Sequence, residues 1–173
     1  MKSLFILQLV CCVITAMLAL QLAMASLQVR WKVWRYEISR WILVASMLFF
    51  SVHYLLQMIH GLRAQGTDVG AAFNILFYTP VAFAITLSII NIESTGNKVR
   101  RYCLRGMMAY ILIAIVFVIG MFKSQSLHIG NMLYVMLGLF VASMAYFILI
   151  IRKETKARKQ KLMVNFGIDL IPY

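Results

Sequence analysis

The stretch that decides the fold runs from Trp41 to Ile92. It reads WILVASMLFFSVHYLLQMI (41–59), then the polar connection HGLRAQGTDVG (60–70), then AAFNILFYTPVAFAITLSIINI (71–92). Each apolar segment is about as long as the ~20 residues that a membrane-spanning helix needs. The stretch therefore predicts a transmembrane helical hairpin.

The composition of the whole chain extends this prediction. Hydrophobic residues make up 63% of the 173 residues and charged residues 13%, whereas ordinary globular domains are about 45–50% apolar. We expect an all-α, polytopic membrane protein that forms one compact bundle of five transmembrane helices. The predicted spans are 4–27, 41–59, 71–92, 106–122 and 129–151. A basic tail, 152–173, follows, and its apolar ending GIDLIPY suggests a segment cut before its continuation.

The basic residues predict the orientation of these spans. Fourteen of the 17 Lys and Arg residues fall in 30–40, 98–105 and 152–161, and the other three are Lys2 at the N-terminus and Arg63 and Lys123 in the intervening connections. Since Lys and Arg accumulate in cytoplasmic loops, the alternation favours an orientation with the N-terminus outside and the C-terminus inside (N-out, C-in).

The same basic residues are candidates for binding lipid. A formal charge of +12, with Trp and Tyr interleaved near residues 30–41, is also found in nucleic-acid-binding proteins. Because the charges lie beside apolar spans, we instead predict contacts to anionic headgroups and no direct binding of nucleic acid. The predicted anchoring residues are Arg30, Lys32, Arg35, Arg40, Lys98, Arg100, Arg101, Arg105, Arg152 and Lys153.

One group of polar residues lies inside the predicted spans and is the candidate site. Residues at i, i+4 and i+7 share one face of the second span, and two more at i and i+4 share a face of the third. Polar groups inside a membrane usually face other helices and mark functional sites. The predicted polar cluster consists of His53, Gln57, His60, Asn74 and Tyr78, with His128 and Asn131 nearby.

Several interpretations of this cluster stay open. It could be a ligand-sensing pocket or a satisfied hydrogen-bond cluster between helices, and its histidines leave haem or quinone binding in a redox subunit as an alternative. A small transporter or a structural membrane partner is another. We predict no catalytic residues, since the sequence has no GxSxG, HExxH or P-loop motif and no paired carboxylates. We also predict no metal site, because the three cysteines lack metal-ligand spacing.

A resemblance to a known class of proteins bears on function. The segments RYEISRW (35–41), HYLLQMIHGLRAQGTDVGAAFNILFYTP (53–80), NIES (91–94) and LHIGNMLYVMLGLF (127–140) resemble the N-terminal membrane region of multi-spanning Bacteroides-type signalling regulators. The resemblance implies a sensor or signal-relay module of the bacterial inner (cytoplasmic) membrane. In such regulators the membrane region precedes a cytoplasmic output domain, an AraC-type helix-turn-helix or a histidine kinase. That output half would lie outside this sequence or in a partner, and a homo-oligomer is a further possible assembly.

Two local features complete the expectations. Pro80 should kink the third span, because proline removes a backbone donor from the helix interior. The segment RKETKARKQKL (152–162) contains no Gly or Pro, so the fifth helix should extend beyond the membrane by about three turns. Such an extension is suited either to relaying a signal or to anchoring the chain on anionic lipid.

Overall fold

The chain folds into five α-helices. The computed structural model describes residues 2–25, 34–63, 65–93 and 96–166. The helices are α1 (Lys2–Met24), α2 (Trp34–His60), α3 (Thr67–Glu93), α4 (Gly96–Ser124) and α5 (Met132–Phe166). All five are long and apolar enough to cross a membrane. The prediction of an all-α, multi-pass membrane protein is therefore confirmed.

α2, α3 and α4 extend beyond the predicted spans at both ends, whereas α5 begins later than predicted, at Met132. α2 begins at Trp34 and α4 at Gly96, so both helices include basic residues that the prediction had placed in connections. Lys and Arg are good helix formers, and their charged ends can reach water from a helix. The predicted end of the first span, at residue 27, lies outside the described residues.

The predicted extension of the fifth helix is confirmed. α5 has 35 residues and continues without interruption to Phe166. At 1.5 Å per residue it is about 52 Å long, against a hydrocarbon core of about 30 Å. More than one third of α5 therefore lies beyond the length that a bilayer requires.

The helices form a group of three, α3, α4 and α5, from which α2 and α1 extend in an open row, and not the compact bundle that we expected. Among the described residues, α1 packs on α2 alone, α2 packs on α1 and α3, and α3 also contacts α4 and α5, which pack on each other. Lipid tails are as apolar as the side chains, so no hydrophobic force closes a row of membrane helices into a bundle. α3 is the element that joins the two halves.

The largest buried cluster lies where α3, α4 and α5 meet. Its residues are Ala72, Ile75, Ile113, Phe117, Ile129 and Met136. About two turns before Ile113, Gly106 of α4 allows a close approach to α3, because a Cβ atom at this position would overlap the ring of Phe83. The α4–α5 hairpin is thus fixed to α3 by apolar packing.

α3 passes through Pro80 as one helix, from Thr67 to Glu93. Next to the proline, the hydroxyl of Thr79 donates a hydrogen bond of 2.6 Å to the carbonyl oxygen of Ile75, one turn earlier. The carbonyl that Pro80 leaves without its helical N–H donor is that of Leu76, so the bond from Thr79 adds to the helix beside the proline and does not replace the missing one. The size of the expected kink stays a prediction.

Candidate functional site

A buried polar network joins the first three helices. We use this name for Gln8 of α1, His53 and Gln57 of α2, and Asn74 of α3. His53 and Gln57 are each 1% exposed, and Gln8 is 5% exposed. The i, i+4 spacing on α2 places the two side chains on the face that meets α3. Three predicted residues of the site, His53, Gln57 and Asn74, are therefore brought together.

Gln57 is at the centre of the network. Its Oε1 accepts a hydrogen bond of 3.1 Å from Nε2 of Gln8. Its Nε2 donates a hydrogen bond of 2.7 Å to Oδ1 of Asn74 and lies 3.1 Å from Nε2 of His53. One amide group thus connects α1, α2 and α3.

The position of the proton on the His53 ring determines which hydrogen bonds the network contains. Nε2 of His53 lies 3.1 Å from Oδ1 of Asn74 and 3.1 Å from Nε2 of Gln57. With a proton on Nε2, the ring donates to Asn74; without one, it accepts from Gln57. The two arrangements exclude each other, so a change of tautomer at His53 changes a contact between helices.

Aromatic rings surround the imidazole of His53. The ring of Phe77 stacks on it with centroids 4.5 Å apart. Tyr78 meets it edge to face at 5.5 Å, and Tyr54 lies at 5.6 Å. Tyr78, which the sequence placed in the cluster, therefore contributes through its ring. The enclosure keeps His53 away from lipid and fixes its position between α2 and α3.

The remaining residues of the predicted cluster lie elsewhere. His60 and Asn131 are exposed. His128 also lies outside the network, and its Nδ1 is 2.8 Å from Oδ2 of Asp68. A Cβ atom on Gly66 would lie 2.9 Å from the His128 ring, so this glycine allows the α2–α3 turn to approach the α4–α5 connection. The predicted cluster therefore included too many residues. His128, for example, lies at the helix ends, where it contacts Asp68.

Gln8 is the network residue that the sequence reasoning missed. It lies in an otherwise apolar run, LFILQLVCC (4–12), and an amide inside a membrane span is itself a sign of an interhelical contact. Periodicity within α1 could not identify its partner, which lies 49 residues away.

α1 has a second polar contact to α2, one turn from the network. The hydroxyl of Ser51 donates to the carbonyl oxygen of Cys12 at 3.1 Å, and Sγ of Cys12 lies 3.4 Å from the carbonyl oxygen of Ser51. Both contacts suit the packing of two membrane helices. Cys12 therefore has a structural role in the packing of α1 against α2.

The predicted anchoring residues surround one end of the helix row, which we call the basic end. Arg30 and Lys32 lie outside the described residues. Arg40 pairs with Glu37 at 2.7 Å and lies over the ring of Trp41. Lys98 is half-buried. The exposed residues are Arg35, Arg100, Arg101, Arg105, Arg152 and Lys153, and their contact with lipid stays a prediction.

Glu154 is a buried carboxylate at this basic end. It is 3% exposed. Its Oε1 accepts a hydrogen bond of 2.9 Å from the hydroxyl of Tyr102, and its Oε2 lies 3.4 Å from Nζ of Lys98. Burial of a carboxylate is costly unless it is paired. We call Lys98, Tyr102 and Glu154 the Glu154 cluster; it joins α4 to α5.

The structure gives no specific support to a metal or haem site. Among the described residues, no three His, Cys, Asp or Glu side chains are grouped so that they could hold a metal ion. His53 contacts Gln57 and Asn74, whereas His128 contacts Asp68. The haem and quinone alternatives stay predictions.

Comparisons with protein-family models, with curated proteins and with solved structures found no match to this chain. The geometry described above is therefore the basis for a functional assignment.

Proposed function

We propose that this chain is an integral membrane module that relays a signal in a bacterial regulatory protein of the inner membrane. The polar network of α1, α2 and α3 is the responsive part, and α5 carries the change to the basic end. An output domain, continuous with α5 or in a partner chain, receives it.

The observation that carries the proposal is the continuity of α5. One helix begins at Met132, packs on α3 and continues through the basic segment to Phe166. A helix moves as a stiff body over such lengths, whereas a loop after Ile151 would absorb a displacement. A rotation or shift imposed by α3 would therefore reach the end of α5.

The network supplies an element with two arrangements, which a relay requires. The tautomer of His53 selects between a bond to Asn74 of α3 and a bond to Gln57 of α2. α3 carries Asn74 and also packs on α5. A change at His53 thus has a continuous packed path to the basic end.

Distance measurement between spin labels tests the relay. Labels are placed at Trp34→Cys and Lys159→Cys, which report α5 relative to α2, in a protein whose native cysteines are replaced by serine. The protein is reconstituted in lipid nanodiscs. Replacing His53 and Gln57 together by alanine should shift the mean distance by about 2 Å or more, the scale of helix shifts at packed interfaces.

Thr86→Ala is the matched control. It also removes a buried polar group, but the hydroxyl of Thr86 bonds only to Ala82 of its own helix, at 2.8 Å. Circular dichroism checks that all variants keep their helices. An unchanged distance distribution in the His53 and Gln57 variant would contradict the relay and would mean that the α5 extension serves only as a lipid anchor.

The orientation is part of the proposal. Positive charges at the basic end favour N-out and C-in. An impermeant thiol reagent should then label Gln65→Cys or Ser126→Cys in intact cells. It should label Cys103 and Arg100→Cys only after permeabilisation; Arg100 is exposed, so burial would not explain protection there. Labelling of Arg100→Cys in intact cells would reverse the assignment.

A further inference from the structure

A cavity opens between α4 and α5 at the basic end. Its volume is about 240 Å³, somewhat below the roughly 300–1,000 Å³ of sites for drug-sized ligands. The lining residues are Lys98, Arg101, Tyr102, Arg105, Lys153 and Glu154. Four of the six are cations, and we call this cavity the basic pocket.

The charges of the basic pocket do not balance. Glu154 is its one carboxylate, and it is engaged with Tyr102 and Lys98. Arg101, Arg105 and Lys153 contribute three further positive charges and are exposed. α4 begins at Gly96, two residues before Lys98, and its N-terminus adds the positive end of a helix dipole. The pocket therefore favours an anion.

Spacing along α4 directs these groups to one place. Lys98, Arg101 and Arg105 lie at i, i+3 and i+7, which is one face of a helix. Tyr102 lies on the same face, where its hydroxyl donates to Glu154. Guanidinium groups bind phosphate through paired N–H donors, and a lysine adds a compact charge. This donor set matches a phosphate group.

The position of the basic pocket, at the end of the apolar part of α5, indicates which kind of molecule supplies the phosphate. On α5, the apolar run ends at Ile151, and Arg152, Lys153 and Glu154 follow directly. The apolar side chains of Leu104, Met108 and Leu149, adjacent to the pocket along the two helices, are all exposed. A phospholipid could place its headgroup in the pocket and its acyl chains along these side chains.

We propose that the basic pocket is a binding site for the phosphate group of an anionic phospholipid. The site is distinct from general attraction between basic residues and the membrane surface, because it uses a defined cavity and a defined donor set. It does not depend on the relay function: the pocket could bind lipid in an anchor as well as in a relay.

Binding of short-chain phosphatidylglycerol to the full chain in zwitterionic detergent micelles tests the proposal. The pocket variant is Arg101→Gln with Arg105→Gln. The matched control is Arg100→Gln with Arg152→Gln, which removes two exposed arginines at the same end that do not line the cavity. The pocket variant removes two guanidinium groups that can donate paired hydrogen bonds to the phosphate, so it should lose about tenfold or more in affinity. The control should lose about threefold or less.

Further binding measurements distinguish the phosphate of an anionic lipid from free phosphate. Short-chain phosphatidylcholine, which has a phosphate but no net charge, should bind more weakly than phosphatidylglycerol. Inorganic phosphate should compete only at much higher concentration, since it lacks the acyl chains. Equal loss in the two double variants would show diffuse attraction and overturn the proposal. Binding of inorganic phosphate as tight as that of the lipid would overturn the lipid assignment.

Glu154→Gln gives a test of opposite sign. It removes the carboxylate that competes with the phosphate, while the amide oxygen can still accept from Tyr102. The affinity for phosphatidylglycerol should rise by several-fold, a result that loss of folding cannot imitate. An unchanged or lower affinity in a folded Glu154→Gln protein would contradict the site.

Discussion

The polar network and the Glu154 cluster both fasten helices together, but they do so with different chemistry. The network uses neutral amides and an imidazole between α1, α2 and α3, and Gln57 is 1% exposed there. The Glu154 cluster uses an ion pair between α4 and α5 and opens into a cavity. The polar side chains of the network satisfy one another, whereas the cavity beside the Glu154 cluster leaves positive charge available to another molecule.

The difference follows from depth in the membrane. A charge in the hydrocarbon core is expensive, so groups that hold helices together there are neutral and satisfy each other. Near the headgroups, water and lipid phosphates stabilise charge, so an excess of cations is tolerated. The two regions thus differ as a neutral contact whose polar groups satisfy each other and a cationic contact that opens into a cavity.

Gln57→Leu should break the network and have the largest effect on stability. It removes the partner of Gln8 and one partner of Asn74. A buried polar group left without a partner costs about 1–3 kcal/mol, so we expect a loss of about 2 kcal/mol. Equilibrium unfolding in mixed micelles measures it.

Ser46→Ala is the control for this change. Ser46 is also buried in α2, but its hydroxyl bonds to Leu43 in the same helix. It should cost about 0.5 kcal/mol or less, because no contact between helices is lost. Adding Gln8→Leu to Gln57→Leu should cost less than the two separate losses combined, since each removes the same bond. Full additivity would show that Gln8 and Gln57 do not interact.

Much of the fold could be predicted from local sequence. Runs of about 20 apolar residues identify each membrane helix, and the lack of Gly and Pro in 152–162 identifies the extension of α5. The open row could not be predicted, because apolar periodicity does not distinguish a surface that faces lipid from one that faces a helix. Only the packing reveals that α1 contacts α2 alone.

The candidate site was predictable in part for a similar reason. The i, i+4 spacing brought His53 and Gln57 to one face, and Asn74 follows from the hairpin. Gln8 and the Asp68–His128 pair depend on contacts across 49 and 60 residues, which no local pattern specifies. The cations of the basic pocket were predicted from the sequence as lipid-anchoring residues. The cavity and the burial of Glu154 are visible only in the structure.

Tyr102→Phe should have a much smaller effect than Gln57→Leu and sharpens the contrast between the two regions. It removes the hydroxyl that donates to Oε1 of Glu154 without changing the charge or the ring. Because the basic pocket opens to water, a water molecule can replace the lost donor, so unfolding in mixed micelles should show a loss of about 0.5 kcal/mol. Tyr110→Phe, the same change about two turns along α4, is the control. A loss in Tyr102→Phe as large as that in Gln57→Leu would mean that the Glu154 cluster is closed to water, and the distinction between a closed network and an open pocket would then be wrong.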